Sequence, residues 1–221
     1  MSLSIAIALL SLLAAYLLGS IPTGFLLVKA LKGVDIREYG SGNTGATNVF
    51  RILGKGAAVT ALVVDLLKGV LAVRLMAWLT FTSNFSPYTT SEFLDPAQVM
   101  LWGYVLCTLA GLLAILGHSK SVWLGFTGGK SAATGLGVLL ALAWPVGLGV
   151  AVVFATAVGL SKTVSVGSIS AALSACVFML LTQQPLPYIV LAFLGGCYVV
   201  YLHRSNIARL MSGTEPKTFG N

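Results

Sequence analysis

Charge is scarce in this chain of 221 residues, and so are the side chains that most soluble enzymes use for catalysis. Only 9% of the residues are charged and the chain holds 2 histidines, whereas about 25% of a typical soluble domain is charged. Hydrophobic residues make up 57% of the sequence. This composition excludes a soluble globular domain and predicts an integral membrane protein with a single domain over residues 1–221.

Acidic residues are even rarer than basic ones. Asp and Glu number 6 against 13 Lys and Arg, and the basic residues lie in short loops and never in one long run. This distribution favours a membrane topology and argues against nucleic-acid binding. The 3 cysteines lie inside apolar segments, and no group of His, Cys and carboxylates has the spacing of metal ligands. We therefore expect neither a metal nor a cofactor.

Three familiar catalytic motifs are missing as well. A Walker A loop would need glycine at the position of Leu124 and a strand before it. The His-x4-Asp pattern of the common glycerolipid acyltransferases is absent, because Trp123 and Ala208 stand where its Asp would follow the two histidines. No serine lies in a G-x-S-x-G elbow. The residues suit a reaction with an already activated substrate, in which the protein positions anions and stabilises developing charge.

Long apolar segments divide the chain. The first, Leu3–Leu27, has no basic start and no convincing cleavage site, so we interpret it as a retained transmembrane helix with a kink near Pro22. Between later segments, Ala133–Leu160 is either one span or two short limbs bent at Pro145. The remaining spans are expected at Ala57–Phe81, Ala97–Leu116, Ser165–Leu181 and Leu186–Leu202.

The positive-inside rule orients these segments. Basic residues after the first span place that loop in the cytoplasm and the N-terminus outside, and the acidic loop Thr82–Pro96 is external. Two limbs in Ala133–Leu160 keep every Lys and Arg except Lys68 and Arg74 in the cytoplasm, whereas one span would carry the basic tail outside. We therefore predict an all-α, polytopic membrane helix bundle of about seven segments, two of them short, with the C-terminus cytoplasmic.

Two ionisable residues fall inside the second predicted span. Asp65 lies about 14 Å along the helix from Gly56, and Lys68 follows it at a spacing that allows an ion pair on one helix face. Ionisable groups within a membrane are functional candidates. We favour an ion pair that fixes the register of the bundle, so that Asp65→Asn acts mainly on folded yield.

A polar, glycine-rich stretch, Gly40–Arg51, separates the first two spans. Its glycines let successive N–H groups converge on one point, as in an anion-binding nest. By itself such a stretch is typical of a turn. The predicted topology, however, brings it to the same face as three other clusters that carry basic residues, Gly117–Thr134, Lys162–Ser168 and His203–Lys217. This convergence favours a site for an anionic ligand.

The competing hypothesis is a small-anion or phosphate-ester transporter. Transporters usually hold ionisable groups near the midplane at broken helices, and many contain inverted repeats. Here most ionisable groups gather at one face and no internal repeat is visible. A non-enzymatic scaffold would not need repeated glycine-rich loops. The sequence therefore favours an enzyme.

Six motifs resemble those of the bacterial PlsY family, the acyl-phosphate:glycerol-3-phosphate acyltransferases. The resemblance covers almost the whole chain in the same order, and the long first motif and the Gly-Gly-Lys motif are specific in combination. It implies transfer of a fatty acyl group from acyl phosphate to the 1-hydroxyl of sn-glycerol 3-phosphate. The products would be 1-acyl-sn-glycerol 3-phosphate and phosphate, the first step of phospholipid biosynthesis. The motifs are Gly19-Ser20-Ile21-Pro22, Gly40–Arg51, Asp65 with Lys68-Gly69, Gly117-His118, Phe126-x-Gly128-Gly129-Lys130 and His203-Arg204-x-Asn206-Ile207.

The same resemblance implies which residues form the site. A loop and two basic side chains would hold the substrate phosphates, a serine would lie near the reacting groups, and a tail acid would order the site. The catalytic residues expected on this basis are Ser41, Arg51, Lys130, Ser168, His203 and Asn206. The expected substrate-binding residues are Gly42, Asn43, Gly45, Thr47, Asn48, Gly128, Gly129 and Glu215.

Partners and location are implied in the same way. The resemblance predicts a multi-pass protein of the bacterial inner membrane with its active site facing the cytoplasm. Acyl phosphate, glycerol 3-phosphate and membrane lipid would be its ligands, and a soluble acyl-phosphate synthase of the PlsX type is a candidate partner. The attacking hydroxyl must lose a proton either to the departing phosphate or to His203. We favour the phosphate, because the sequence shows no carboxylate to orient that histidine.

Overall fold

The computed structural model describes residues 3–81 and 95–218, and within these ranges it contains α-helices and no named strands. The predicted all-α class is therefore confirmed. Most of the predicted external loop, Thr82–Pro96, lies outside the described residues. The helices are α1 (Leu3–Ser20), α2 (Thr23–Lys32), α3 (Ala46–Leu53), α4 (Lys55–Phe81), α5 (Pro96–Ser119), α6 (Ala132–Leu142), α7 (Trp144–Ser161), α8 (Val164–Leu181), α9 (Leu186–Leu202) and α10 (Arg204–Met211).

The first apolar segment is broken where its sequence predicted a kink. α1 and α2 meet at 42°, with the break at Ile21 and Pro22. Proline has no N–H to donate and its ring disturbs the preceding helical turn, so the backbone bonds of one helix cannot continue through this point. The break leaves the carbonyl of Ile21 available to a buried lysine, as described below.

The bend expected near Pro145 is present, but the two limbs are unequal. The backbone leaves helical geometry at Ala143, and α7 then starts with Pro145 in its first turn. α6 has 11 residues and is short, as predicted, whereas α7 has 18 residues. At 1.5 Å per residue α7 is about 27 Å long, close to the thickness of the hydrocarbon core. The expectation of a second short limb is therefore corrected.

Within the described ranges, α4, α5, α7 and α8 are each long and apolar enough to cross a membrane, and the bent pairs α1–α2 and α9–α10 would each make one further crossing. With the short apolar α6, the segments number about seven, as the sequence predicted. Large apolar side chains cover the outside of these helices, for example Leu62, Leu71 and Phe193, each about half exposed. Such a surface is stable in contact with lipid.

Close helix crossings hold the bundle together. α1 packs along α5, α4 crosses α5 and α6, and α7, α8 and α9 pack in sequence. At the α4–α6 crossing, Gly69 faces the backbone of Thr134, and Gly137 faces the backbone of Leu66. Any side chain at either glycine would push the two helices apart, because small residues are what allow membrane helices to approach closely. This crossing places the start of α6 beside the middle of α4.

Candidate active site

The loops before α3 and before α6 and the segment after α9 lie at one end of the bundle, which we call the polar end. A cavity of about 850 Å³ is lined by residues from all four clusters that the sequence brought to one face. Apolar residues of α4, α6, α7, α8 and α9 form much of the remaining wall of this cavity. Along α9 the lining residues run from Leu191 to His203, a distance of about 18 Å.

Most of the predicted site residues line this cavity. Three predicted substrate-binding glycines do not: Gly42, Gly128 and Gly129 are absent from its wall. The residues that line it are Ser41, Asn43, Gly45, Thr47, Asn48, Arg51, Lys130, Ser168, His203, Asn206 and Glu215.

The three glycines shape the loops instead. Gly42 has a φ of +69°, which favours glycine, and its N–H donates to the carbonyl of Tyr39 at 3.0 Å. The N–H of Gly129 donates to the main-chain carbonyl of His118 at 3.0 Å. Since these N–H groups are already bonded within the protein, Gly42 and Gly129 contribute to loop geometry in this structure, and their predicted contact with substrate stays a prediction.

Asn48 organises the loop before α3. Its Nδ2 donates to the carbonyls of Ile36, Tyr39 and Asn43, at 3.3, 2.9 and 2.9 Å, and its Oδ1 accepts the N–H of Ser41 at 3.0 Å. The side chain is only 1% exposed. Although Asn48 lines the cavity, its amide is fully used, so it fixes the wall that carries Ser41 and is not a free donor for a ligand.

The first turn of α3 offers free donors in its place. Within the described part of the chain, the N–H groups of Ala46 and Thr47 have no protein acceptor, as expected for the first turn of a helix. Both residues line the cavity. The positive end of the helix dipole adds to this arrangement, which is typical of phosphate binding. The start of α3 therefore supplies converging donors within Gly40–Arg51, where the N–H groups of Gly42 and Gly45 are bonded inside the loop.

Two cations in the cavity wall have no acidic partner at ion-pair distance among the described residues. These are Arg51, in the last turn of α3, and Lys130, in the loop before α6. By contrast, Arg37 is paired with Asp35 at 2.6 Å. An anion bound between Arg51 and Lys130 would compensate charge that the protein leaves unpaired.

Lys130 is held in place by a chain of polar side chains. Its Nζ donates to Oδ1 of Asn206, and Nδ2 of Asn206 donates to Oε1 of Glu215 at 2.6 Å. The same carboxylate accepts Ser165 Oγ at 2.7 Å and Arg209 Nε at 2.6 Å. Glu215 is thus the centre of the network, although its side chain is only 7% exposed. This carboxylate ties the tail after α10 to α8 and to the cavity, and the N–H of Thr218 adds a hydrogen bond to the carbonyl of Lys162 at 2.8 Å.

The charges in this network shift two pKa values. Burial lowers the pKa of Lys130, the positive charges of Arg209 and Arg51 lower it further, and Glu215 opposes them. Burial alone would raise the pKa of Glu215, but hydrogen bonds from Asn206, Ser165 and Arg209 outweigh it and lower that pKa. The surroundings of Lys130 within the protein therefore disfavour its ammonium charge, and an anionic ligand would stabilise it.

His203 lies at the end of α9 with one ring nitrogen already bonded. Its Nδ1 is 2.8 Å from the carbonyl of Val199, which can only accept, so Nδ1 carries a proton. In the neutral ring Nε2 then has a lone pair available to a ligand, and the ring is 4% exposed. The sequence suggested no group to orient His203, and a main-chain carbonyl does so. Ser168, also in the wall, donates to the carbonyl of Val164 at 3.0 Å.

Six polar residues of the wall were not among the predicted site residues: Asp65, His118, Ser131, Ser165, Arg209 and Thr218. The predicted ion pair of Asp65 with Lys68 is present at 2.9 Å, but Asp65 also faces the cavity. Neighbouring positions could have revealed Ser165 and Arg209, because they lie in two of the basic clusters. Nothing local in the sequence links His118 to Asp65, since they lie on different helices.

A family model described as glycerol-3-phosphate acyltransferase matches residues 9–213. The chain belongs to this glycerol-3-phosphate acyltransferase family. The PlsY resemblance and the acyltransferase activity it implied are thereby confirmed. Among curated relatives, a glycerol-3-phosphate acyltransferase of Nostoc sp. is 56% identical over 93% of this chain and 89% of its own length. Glycerol-3-phosphate acyltransferase 2 of Rhizobium johnstonii is 55% identical, with 92% of each chain covered.

Two solved structures share the fold of this acyltransferase. Both are crystal structures of PlsY (YgiH), an integral membrane glycerol 3-phosphate acyltransferase, and both are 38% identical to this chain. The glycerol 3-phosphate form has a TM-score of 0.82 and covers 96% of both chains. The lysophosphatidic acid form has a TM-score of 0.80 and covers 96% of this chain and 95% of its own. The fold is therefore that of an integral membrane acyltransferase.

Replacing the carboxylate of Glu215 should destabilise the attachment of the tail to the rest of the acyltransferase. In Glu215→Gln, an NH2 group would face the guanidinium of Arg209, so we expect a Tm lowered by about 2–5 °C. Because the folded-state pKa of Glu215 is lowered, its stabilisation is full above the ordinary glutamate pKa of about 4.3 and is lost as pH falls through the folded value.

Thermal unfolding in detergent between pH 7 and pH 3 checks this. The difference between wild type and Glu215→Gln should be largest at neutral pH and should shrink toward acid pH. Glu38→Gln, at an exposed carboxylate outside the cavity, is the matched control and should unfold like the wild type. A Glu215→Gln difference that grows as the pH falls would contradict the assignment.

Proposed function

We propose that this glycerol-3-phosphate acyltransferase takes its acyl group from acyl phosphate and transfers it directly to the 1-hydroxyl of sn-glycerol 3-phosphate. The observation that carries the proposal is the cavity itself. Its polar end combines free N–H groups at the start of α3 with the unpaired cations Arg51 and Lys130, and its remaining length is apolar. Such a cavity suits two phosphate groups at one end and a fatty acyl chain in the rest.

Direct transfer is supported by the lack of an activated nucleophile. Among the described residues, no serine or cysteine in the wall is hydrogen-bonded to either histidine: Ser168 bonds to a main-chain carbonyl, and so does His203. Nucleophilic catalysis would need such a pair. Acyl phosphate is a mixed anhydride with a good leaving group, so its transfer can proceed without an acyl-enzyme.

In the proposed step one bond forms and one bond breaks. The 1-hydroxyl oxygen of glycerol 3-phosphate attacks the carbonyl carbon of acyl phosphate, and a new C–O ester bond forms. The carbonyl carbon–phosphate oxygen bond breaks, inorganic phosphate leaves with the electron pair, and the hydroxyl proton passes to that phosphate. In this step Arg51, Lys130 and the α3 N–H groups hold the phosphates and stabilise the charge that develops.

The remaining predicted residues take supporting roles in this proposal. Ser41 and Thr47 add hydroxyl groups to the same wall, and Ser168, which also lines the cavity, is proposed to act near the reacting groups. Asn206 and Glu215 hold Lys130, as their hydrogen bonds indicate. Asn43 caps the turn before α3, since its Oδ1 accepts the N–H of Gly45 at 2.9 Å.

His203 is proposed to accept a hydrogen bond from the attacking hydroxyl and not to remove its proton. The ring is buried, only a carbonyl orients it, and the positive charge of Lys130 lies in the same cavity. These surroundings disfavour an imidazolium ion. A hydrogen-bond acceptor at Nε2 would still position the hydroxyl for attack.

His203→Gln tests this role. The amide oxygen of glutamine can accept the same hydrogen bond but cannot act as a base near neutral pH, so kcat should fall by no more than about 10-fold. In His203→Phe, which offers no hydrogen-bond acceptor, kcat should fall further. Steady-state kinetics on purified protein would measure both. If kcat collapsed in His203→Gln while both KM values stayed normal, His203 would be the base and the phosphate would not.

The donor is tested with purified protein, glycerol 3-phosphate and one donor at a time. Acyl phosphate should give lysophosphatidate and an equal amount of inorganic phosphate, whereas acyl-CoA and acyl carrier protein should give no product. Turnover with either thioester at a comparable rate would overturn the donor assignment while leaving the acyltransferase activity intact.

We also propose that the polar end faces the cytoplasm of the bacterial inner membrane, with the N-terminus outside. The charge distribution supports this, because the loops at the polar end carry the basic residues. Cysteines placed at Lys120 and Ser205 should react with a membrane-impermeant maleimide in inverted vesicles and not in intact spheroplasts. With this orientation a soluble acyl-phosphate synthase of the PlsX type could deliver its product, and copurification of the two proteins would test that partnership.

A further inference from the structure

A cluster of buried polar side chains lies directly beneath the loop that carries Lys130. Asp65 is 1% exposed, and its Oδ1 accepts Thr23 Oγ1 at 2.9 Å and Lys68 Nζ at 2.9 Å. Nδ1 of His118 lies 3.6 Å from the same oxygen. Lys68 also donates to the carbonyl of Ile21, at the break between α1 and α2, at 2.9 Å. One carboxylate thus joins α2, α4 and α5.

This cluster does more than fix how the helices pack, because His118 also contacts the loop Gly128-Gly129-Lys130. The main-chain carbonyl of His118 accepts the N–H of Gly129 at 3.0 Å. The imidazole packs against the same residue so closely that a Cβ at position 129 would overlap its Nε2. One turn earlier in α5, the carbonyl of Ile115 accepts Ser131 Oγ at 2.8 Å. Contacts to α5 therefore flank Lys130 on both sides.

We infer that His118, oriented by Asp65, is a positioning residue for Lys130. Its ring supports the loop at Gly129, and its carbonyl holds the loop from the same side. The position of the Lys130 ammonium in the cavity then depends on a histidine that need not touch the substrate itself. The inference rests on the proposed function in one respect, namely that Lys130 holds a substrate phosphate.

The two glycines before Lys130 provide a matched pair for a test. A Cβ at Gly129 would overlap the side chain of His118, whereas a Cβ at Gly128 would overlap the main-chain carbonyl of the same residue. Truncation of the His118 side chain can therefore relieve the first overlap and cannot relieve the second. The pair separates a positioning role of the ring from general damage to the loop.

Asp65→Asn is unsuitable as the main probe, because it leaves Lys68 without its counter-ion inside the membrane and can fail to fold. His118→Ala and His118→Asn keep the pair of Asp65 and Lys68. The asparagine variant also keeps an amide that can reach toward the carboxylate, so it remains measurable if the alanine variant folds poorly.

The experiment is a double-mutant cycle on the purified acyltransferase, with KM for each substrate, kcat and Tm as readouts. Gly129→Ala and Gly128→Ala should each lower kcat/KM by about 10-fold or more in the wild-type background. His118→Ala should raise the KM of one substrate by about 10-fold with Tm within a few degrees of wild type. In the His118→Ala background, Gly129→Ala should lower kcat/KM by less than about threefold more. Gly128→Ala should lower kcat/KM there by the same factor as in the wild-type background.

Equal costs of Gly129→Ala in both backgrounds would overturn the inference, and so would wild-type kinetics in both His118→Ala and His118→Asn. A control on α4 is Thr80→Val, which removes a buried hydrogen bond to Met76 away from the cavity and should keep wild-type KM values. Wild-type kinetics in Lys130→Met would instead sink the phosphate role of Lys130. The failure of the proposed function is thus distinguishable from the failure of this inference.

Discussion

Arg51→Lys should lower kcat/KM by at least about 100-fold, even though it keeps the positive charge. A guanidinium binds two oxygens of a phosphate through parallel N–H groups, whereas an ammonium is a single point charge. Arg51 lies in the last turn of α3, lines the cavity and has no acidic partner among the described residues. No described carboxylate therefore competes for the guanidinium, and we expect a bound phosphate to pair with it.

Steady-state kinetics with both substrates would measure this loss, and Tm in detergent would show whether the variant is folded. The matched control is Arg204→Lys, because Arg204 packs on the ring of Tyr201 with its guanidinium 4.7 Å from the ring centre and does not line the cavity. It should keep activity within about twofold of wild type. Near-normal kinetics in Arg51→Lys would remove Arg51 from the phosphate site.

The helical architecture could be predicted from the sequence because its signals are local. Apolar runs, the proline at position 22 and the proline at position 145 each act within one or two turns of the chain. The pair of Asp65 and Lys68 was predictable for the same reason, since residues three apart share a helix face. The length of α7 was not, because the charge rule balances loops without fixing where an apolar helix begins.

The predicted site depended on bringing four clusters to one face, and members of all four line the cavity. The details within each cluster were less predictable. The family resemblance placed Asn48 among the substrate-binding residues, but the loop before α3 uses the Asn48 amide for its own hydrogen bonds. The folded loop determines which side chain donates to which carbonyl. Spacing along the chain does not predict these partners.

Contacts between distant segments were beyond the sequence altogether. The carboxylate of Glu215 joins the tail to α8 and to Lys130 through Asn206, and Asp65 joins three helices. A single sequence shows that such polar residues exist in apolar surroundings and need partners. It does not show which partner each finds, because many pairings would satisfy the same residues.

Lys130→Met should abolish most activity, with kcat/KM lowered roughly 1,000-fold, which corresponds to about 4 kcal/mol of lost transition-state stabilisation. Methionine approximates the shape of the lysine stem, so the loop before α6 should fold, and Tm should stay close to wild type. Burial lowers the pKa of Lys130, so removing the ammonium also removes a charge that the surrounding protein disfavours. The variant also loses the hydrogen bond to Asn206 Oδ1, so the two effects oppose each other and stability should stay close to that of the wild type while catalysis is lost.

A loss of activity without a loss of stability is what distinguishes a ligand-binding cation from a structural one. Asn206→Leu provides the comparison, because it removes the acceptor of the Lys130 ammonium and a donor to Glu215 while leaving the ammonium in place. It should lose both stability and activity, since Glu215 is left with one hydrogen bond fewer. If Lys130→Met instead lowered Tm as much as Asn206→Leu and kept its kcat/KM, Lys130 would belong to the scaffold of the site, and Arg51 would remain the candidate cation for the phosphate.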